Sequence, residues 1–195
     1  MKYKINQNIV LIGFMGAGKT CIGRRLARRL KLPFEDTDSF IEKKEQCSIR
    51  QIFETHGEEY FRDLETELLL ELKKSNQLRI LSTGGGLPMR EQNRLLLREI
   101  GHVVYLQAYK DTIIQRLAGD TSRPLLQGEE LAIKVDKLLA IRAPFYEATA
   151  HTIISTDGKT IDEVTQIIID RMISGEEVEN ENLSSERTQS EFPWN

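Results

Sequence analysis

A glycine-rich segment near the start of the chain has the residue types and spacing of a phosphate-binding loop. Residues 13–20 read Gly-Phe-Met-Gly-Ala-Gly-Lys-Thr and match the pattern G-x-x-x-x-G-K-[ST]. Glycines let the backbone wrap around phosphate oxygens, and the helix that follows adds its positive end. Lys19 can reach the β- and γ-phosphates, and the Thr20 hydroxyl suits Mg²⁺. The segment therefore predicts binding of Mg-ATP.

Two carboxylates follow the second predicted strand, in the sequence Asp36-Thr37-Asp38. Ends of parallel strands converge on the site in doubly wound folds, so one carboxylate could support Mg²⁺ and the other could accept a hydrogen bond from a substrate hydroxyl and act as a base. Alternatively, both could cap the helix over residues 39–45. The sequence leaves both interpretations open.

Three consecutive glycines, Gly84, Gly85 and Gly86, follow the third predicted strand. Their missing side chains would let a ligand approach the backbone. A plain tight turn would use the same residues, and the sequence alone favours that simpler interpretation.

Four arginines, Arg62, Arg116, Arg123 and Arg142, are candidates for contact with anionic groups. The alternative for each is a solvated surface position, which is the common fate of arginine. Arg123 lies in a polar loop before Pro124, as expected of a lid that closes over phosphates. Arg142 precedes Ala-Pro-Phe-Tyr, a rigid apolar setting that is unusual for an idle charge.

The elements around these residues alternate between strands and helices. Short apolar runs predict strands at 8–13, 34–36, 79–82, 102–107 and 152–155. Amphipathic spacing predicts helices at 19–31, 38–45, 48–75 with a break at Gly57, 92–100, 110–117, 130–147 with an interruption at Pro144, and 160–174. Residues 118–128 read as a loop. This alternation predicts a parallel sheet with helices on both faces, a three-layer α/β/α fold.

Composition indicates one globular domain with an acidic extension. The chain has 195 residues, 39% of them hydrophobic, and a net charge of −3. The tail 175–195 has six acids and one arginine, hence a charge of −5, so residues 1–174 are mildly basic and we expect them to form the domain. Without a basic stripe we expect no nucleic-acid partner. Short apolar runs predict no membrane segment, and two isolated thiols with no signal peptide predict a cytoplasmic protein.

The motifs together resemble the shikimate kinase family. They occur in family order: GFMGAGKTCIGRRLA, FEDTD, EEYFRDLE, STGGGLP, VVYLQ, TSRPLL and RAPFYEATA. The resemblance implies a P-loop fold with five parallel strands in the order 2-3-1-4-5 and a mobile lid. It also implies phosphorylation of the 3-hydroxyl of shikimate by ATP with Mg²⁺, on the route to chorismate and the aromatic amino acids, by a monomeric enzyme.

The resemblance also implies roles for individual residues. ATP would be bound by Gly16, Ala17, Gly18, Lys19, Thr20, Cys21, Arg116, Arg123 and Lys159. Shikimate would be bound by Asp38, Arg62, Gly84, Gly85, Gly86 and Arg142. Mg²⁺ would be bound by Thr20, with help from Asp36. The catalytic residues would be Lys19, Asp38 and Arg123. Glu65 would orient Arg62.

Some features depart from the family pattern or leave alternatives. Cys21 stands where Ser or Thr is common, and a thiol is a weaker hydrogen-bond donor. Lys159 stands where some relatives have arginine, and the acidic tail lies outside the pattern. A gluconate kinase of the same fold, or a relative that binds nucleotide without catalysis, are the competing interpretations. Trp194, the only tryptophan, could dock on the chain or on a partner, although an idle end is the simpler interpretation.

Overall fold

The computed structural model describes residues 5–118 and 129–173. The strands are β1 (Asn8–Ile12), β2 (Phe34–Asp36), β3 (Ile80–Ser82), β4 (Gly101–Gln107) and β5 (Thr152–Ser155). The helices are α1 (Lys19–Leu30), α2 (Thr37–Glu45), α3 (Ile49–Lys73), α4 (Glu91–Ile100), α5 (Lys110–Ala118), α6 (Glu129–Thr149) and α7 (161–173). A short 3₁₀ helix, Leu87–Met89, follows β3.

The five strands form one parallel sheet in the order β2-β3-β1-β4-β5. The expected strand order is therefore confirmed. β1 lies at the centre, between β3 and β4, with Val10 opposite Leu81 on one side and Val103 on the other. A central parallel strand is covered on both faces, which explains the continuous apolar sequence of β1.

Helices cover both faces of the sheet and bury two apolar clusters. Alternate residues of β1 point to opposite faces, so Val10 and Ile12 belong to one cluster and Ile9 and Leu11 to the other. The first cluster includes side chains of α2 to α6, and the second is built with α1 and α7. This is the predicted three-layer architecture.

Two helices contain a residue at which the sequence predicted an interruption of the helix. The α3 helix is kinked at Gly57, where the backbone has φ 83° and ψ 176°, so the predicted break is confirmed. The α6 helix instead continues through Pro144 to Thr149, and the predicted interruption is wrong. Pro144 cannot donate a backbone hydrogen bond, but the residues on both sides of it are helical and the helix continues.

Several expectations lie outside the described residues. They concern the lid with Arg123, the acidic tail 175–195 and Trp194. Within residues 5–118 and 129–173, no helix is long and apolar enough to cross a membrane.

Candidate active site

The glycine-rich loop between β1 and α1 accepts hydrogen bonds from its own lysine, Lys19. Gly16 and Gly18 have φ values of 81° and 94°, which residues with a β-carbon rarely adopt, so the loop requires glycine at both. The ammonium of Lys19 donates hydrogen bonds to the carbonyl oxygens of Gly13 at 2.8 Å and Phe14 at 3.0 Å. Backbone N–H groups at the start of α1 are left pointing away from the helix, where they can bind an anion.

The charge of Lys19 depends on its neighbours. Burial lowers the pKa of Lys19 from 10.5 to about 8, while the carboxylates of Asp38 and Asp36 oppose that shift and Arg142 adds to it. An incoming polyphosphate would add negative charge beside the ammonium and restore its full protonation.

Asp36 makes two sets of hydrogen bonds, and one of them confirms, for this residue, the interpretation as a helix cap. Its Oδ1 accepts hydrogen bonds from the backbone N–H groups of Asp38 at 3.2 Å and Ser39 at 3.4 Å, and so caps α2. Its Oδ2 accepts a hydrogen bond from the Thr20 hydroxyl at 3.4 Å. The cap fixes the carboxylate next to the P-loop threonine.

Asp38 is not a cap but lies in the first turn of α2, with its side chain in the cavity. Burial, followed by the negative charge of Asp36, raises its pKa above the usual value, and Lys19 and Arg62 act in the opposite direction. Such a carboxylate is a stronger proton acceptor than an exposed one.

Gly84 and Gly86 of the glycine triplet are required by space rather than by turn geometry. None of the three has a positive φ. A β-carbon on Gly84 would stand 2.5 Å from Asp38 Oδ1, and one on Gly86 would clash with the Arg62 guanidinium. The nearest side chain to the corresponding point on Gly85 is Arg142 Nη1, at 3.7 Å. The interpretation as a plain tight turn is therefore insufficient.

Arg62 is held by two carboxylates on the same helix. Its Nη1 donates to Glu65 Oε2 at 2.7 Å, and its Nη2 donates to Glu58 Oε1 at 2.8 Å. The Glu65 side chain is fully buried, whereas that of Glu58 is 65% exposed. The expected orientation of Arg62 by Glu65 is thus seen in the geometry.

Arg142 reaches the site from α6. Its guanidinium carbon lies 5.8 Å from the centre of the Phe14 ring, a cation–π contact with the P-loop. One turn later, the buried Tyr146 donates its hydroxyl hydrogen to the Gly85 carbonyl and packs on Tyr105, with ring centres 5.2 Å apart. The α6 helix is therefore fastened to the glycine triplet beside Arg142.

A single cavity of about 750 Å³ brings these groups together. Its wall includes Lys19, Thr20, Asp36, Asp38, Arg62, Glu65, Gly84, Gly85, Gly86 and Arg142. The P-loop lysine and threonine thus share one space with two guanidiniums and a carboxylate with a raised pKa. A cavity so equipped can hold an anionic, hydroxylated molecule beside a polyphosphate.

Comparison with known proteins agrees with this geometry. The family model for shikimate kinase matches residues 15–173. A shikimate kinase of Thioalkalivibrio sulfidiphilus is 48% identical over 161 residues, which cover 83% of this chain and 84% of the relative. A shikimate kinase of Dictyoglomus turgidum is 42% identical over 172 residues, covering 86% and 98%. The solved structure of the Acinetobacter baumannii shikimate kinase in complex with shikimate is 42% identical, has a TM-score of 0.79 and covers 87% of this chain and 94% of that chain.

The chain belongs to the shikimate kinase family. It is therefore an enzyme, a phosphotransferase that uses ATP, and the predictions of family and fold are confirmed.

A second cavity of this family member, about 490 Å³, adjoins the P-loop. It is lined by Gly16, Gly18, Lys19, Thr20, Cys21, Arg116 and Ile161. Arg116 donates hydrogen bonds to the carbonyl of Gly16 at 3.1 Å and the hydroxyl of Thr156 at 3.2 Å, so it joins the P-loop to the turn after β5. The exposed thiol of Cys21 faces this space.

Lys159, which was expected to bind ATP, and Asp157 lie on the turn between β5 and α7, and neither lines the second cavity. Lys159 is exposed on this turn, before the start of α7. Asp157 of the same turn accepts hydrogen bonds from the Tyr109 backbone N–H, 3.0 Å from its Oδ2, and so ties this turn to the end of β4.

The structure adds site residues that sequence reasoning missed. Thr37 is fully buried and its hydroxyl accepts a hydrogen bond from the Gly84 N–H. Phe53 and Phe61 line the larger cavity, with ring centres 5.0 Å apart. Phe61 and Tyr146 belong to motifs that had been recognised without a role for either residue. For Thr37, the only indication in the sequence was its position between the two aspartates.

Proposed function

We propose that this enzyme transfers the γ-phosphoryl group of ATP to the 3-hydroxyl of shikimate, giving shikimate 3-phosphate and ADP. One observation carries the proposal: the P-loop lysine, Asp38 and the guanidiniums of Arg62 and Arg142 line the same cavity. Shikimate is a hydroxylated carboxylate, so it needs an anion clamp, an acceptor for its hydroxyls and a position beside the γ-phosphate. The A. baumannii relative was solved with shikimate.

The substrate carboxylate would bind between Arg62 and Arg142. Guanidinium groups are planar and can form two parallel hydrogen bonds with a carboxylate, which an ammonium cannot do. Glu65 on α3 and Phe14 in the P-loop contact these two arginines from the protein side. Each arginine is thus positioned before the substrate arrives, which lowers the entropic cost of binding.

The substrate hydroxyls would face Asp38 and the glycine triplet. Asp38 would accept a hydrogen bond from the 3-hydroxyl and remove its proton as phosphoryl transfer proceeds. The raised pKa of Asp38 suits this task, because a weakly basic carboxylate would compete poorly for the proton. Backbone groups of Gly84, Gly85 and Gly86 would contact a hydroxyl without interference from side chains.

The residues near Thr20 fit a magnesium ion bound chiefly by phosphate and water. Thr20 Oγ1 and Asp36 Oδ2 are two hard oxygen atoms 3.4 Å apart. The part of the chain that is described has no group of three His, Cys, Asp or Glu side chains that could hold a metal, which is the ordinary situation for Mg²⁺ in kinases. We infer that Thr20 would bind Mg²⁺ directly and Asp36 through water, and that the ion would neutralise phosphate charge.

The remaining roles concern ATP. Gly16, Ala17, Gly18, Lys19, Thr20 and Cys21 would contact its phosphates. Arg116 would flank the adenine and Lys159 would lie beside it. Arg123, outside the described residues, would close over the phosphates and join Lys19 in balancing the charge of the transferring group.

The deciding experiment measures ADP release with ATP, Mg²⁺ and either shikimate or gluconate as acceptor. We expect turnover with shikimate, none above background with gluconate, and loss of turnover in Lys19→Met. Preference for gluconate would contradict the proposed acceptor. Binding of ATP without turnover on either acceptor would indicate a non-catalytic relative.

The other expectations remain proposals of the same kind. We propose that residues 1–174 form the catalytic domain, that 175–195 lie outside it, and that the enzyme works as a monomer in the cytoplasm.

A further inference from the structure

Two buried carboxylate oxygens converge on Gly84 without a donor for either. Glu65 Oε1 lies 3.2 Å, and Asp38 Oδ1 2.5 Å, from the point where a β-carbon of Gly84 would stand. Neither oxygen has a hydrogen-bond partner among the residues that the structure describes. The two atoms, one from α2 and one from α3, therefore approach the same point beside Gly84, in a place that solvent does not reach.

This arrangement is unfavourable if both groups are ionised. Two like charges in a poorly solvated place repel each other, and each unpaired oxygen also loses its hydration. A single proton between the two groups removes one charge and supplies the missing donor. Carboxylate pairs in which one member keeps its proton are a known result of such crowding.

We propose that Glu65 carries a proton while the enzyme works and donates it, through Oε1, in a hydrogen bond to Oδ1 of Asp38. The other oxygen, Oε2, already accepts a hydrogen bond from Arg62 at 2.7 Å. The proton therefore belongs on Oε1, and Asp38 remains the ionised partner. This role rests on the proposed function, because it assigns Glu65 the positioning of the residue that receives the substrate hydroxyl.

The charges that face Glu65 are consistent with this assignment. Burial, with a further contribution from Asp38, raises the pKa of Glu65 to about 7, against the opposing effects of Arg62 and the more distant Arg90. Glu58 shares Arg62 and so reduces the positive charge that Glu65 experiences. When a substrate carboxylate binds to Arg62, this positive charge is neutralised further and Glu65 should hold its proton more tightly.

Two consequences follow for catalysis. The hydrogen bond fixes the Asp38 side chain, so its second oxygen, Oδ2, is aimed at the substrate hydroxyl. A neutral Glu65 also leaves more of the Arg62 charge available to the substrate carboxylate. Glu65 is thus a positioning residue for both halves of the acceptor site, while its fixed contact with Arg62 remains.

The test compares Glu65→Gln, Glu65→Leu and the control Glu71→Gln. Glutamine can accept from Arg62 through its oxygen and donate to Asp38 through its nitrogen, as a protonated glutamate does. We expect Glu65→Leu to lower kcat/KM for shikimate at least roughly tenfold, and Glu65→Gln to recover most of that loss. Glu71 lies on the same helix, is exposed and pairs with Lys44 outside the cavity wall, so Glu71→Gln should change little. Thermal unfolding shows whether Glu65→Leu remains folded. If it does not, the test is made with Glu65→Gln, through its pH profile and infrared spectrum.

The pH profiles separate this role from a structural one. At saturating ATP, wild-type kcat/KM for shikimate should fall as pH rises above about 7, since the ionised form of Glu65 would be less active. The fall in kcat should occur at higher pH, because bound substrate raises the pKa of Glu65. Both falls should be absent in Glu65→Gln and present in Glu71→Gln. An unchanged fall in Glu65→Gln, or a loss in that variant as large as in Glu65→Leu, would overturn the proposal.

An independent readout does not use activity. Infrared difference spectra at neutral pH, wild type minus Glu65→Gln, should show the absorption of a protonated carboxylic acid that is lost in the variant. Absence of that absorption would overturn the proposal even if the enzyme phosphorylates shikimate. Conversely, its presence in a protein that does not turn over shikimate would locate the error in the proposed reaction.

Discussion

The Thr37 hydroxyl accepts a hydrogen bond from the Gly84 N–H, 2.9 Å away, and so joins the start of α2 to the glycine triplet. Thr37 is fully buried and lies between Asp36 and Asp38, whose side chains point to the P-loop and to the cavity. One hydrogen bond therefore sets the position of the proposed base relative to the backbone that would contact the substrate.

Thr37→Val should destabilise the enzyme and loosen this junction. Valine has the same shape but no acceptor, so the buried Gly84 N–H would lose its partner at a cost of about 1–3 kcal/mol. For a domain of this size we expect the midpoint of thermal unfolding to fall by roughly 2–10 °C, with a higher KM for shikimate. Thr37→Ser keeps the acceptor, so it should cause a smaller fall in the unfolding temperature and a smaller rise in KM for shikimate. Equal effects of the two substitutions would show that the methyl group, not the hydrogen bond, matters.

Gly84→Ala should be far more harmful than Gly85→Ala. An added β-carbon at Gly84 would stand 2.5 Å from Asp38 Oδ1, whereas at Gly85 its nearest neighbour, the Gly13 carbonyl oxygen, is 3.5 Å away. Overpacking of this kind costs about 1–3 kcal/mol, and here it would also move the proposed base. We expect a lower unfolding temperature and a lower kcat for Gly84→Ala, and a nearly unchanged unfolding temperature for Gly85→Ala. Equal unfolding temperatures for the two variants would contradict the close approach.

Arg142→Ala should mainly weaken substrate binding. Loss of a charged hydrogen-bonding partner costs about 2–5 kcal/mol of binding, so we expect KM for shikimate to rise at least roughly tenfold while KM for ATP changes less. Arg142→Lys keeps the charge but not the planar fork, and should recover only part of the loss. Arg25→Ala, which removes an exposed ion pair with Asp162, is the matched control. An unchanged KM for shikimate in Arg142→Ala would remove this residue from the clamp.

Acid should destabilise the enzyme through two histidines at the start of β4 and β5. His151 Nδ1 accepts a hydrogen bond from the Val103 N–H at 2.9 Å, which a protonated ring cannot do. Burial lowers the pKa of His102 and of His151, with His151 adding to the shift of His102 and Arg98 to that of His151. Since both pKa values lie below the ordinary 6.5, the unfolded chain binds more protons, and stability is present above pH 6.5 and lost as pH falls through the folded values.

Thermal unfolding measured from about pH 7.5 to about pH 5, roughly one unit above to one and a half units below the ordinary pKa of histidine, reports this loss. In His151→Asn the side-chain oxygen can replace Nδ1 as the acceptor but does not titrate, so the unfolding temperature should depend less steeply on pH. The same steep dependence in this variant and the wild type would show that other groups cause the acid loss.

Much of the nucleotide side of the site could be predicted from the sequence. The P-loop is eight consecutive residues, and its glycines, lysine and threonine act through local backbone geometry that the sequence itself determines. The kink at Gly57 and the alternation of strands and helices are local in the same sense, and both were predicted correctly. Pro144 was not, because packing of α6 outweighed the local preference of proline.

The part of the cavity that we propose to bind shikimate depends on tertiary structure. Only the parallel register of β2 and β3, with Asp36 opposite Ser82, brings the residues after these two strands together. The need for glycine at Gly84 and Gly86, the acceptor role of Thr37 across 47 residues and the bond from Tyr146 to Gly85 across 61 residues all depend on that assembly. The sequence by itself determined the conformation of the loop that we propose to bind phosphate, since neighbours along the chain suffice for that. Which oxygens lie together at Gly84 was decided only by folding, because contacts between distant segments follow from how the layers pack.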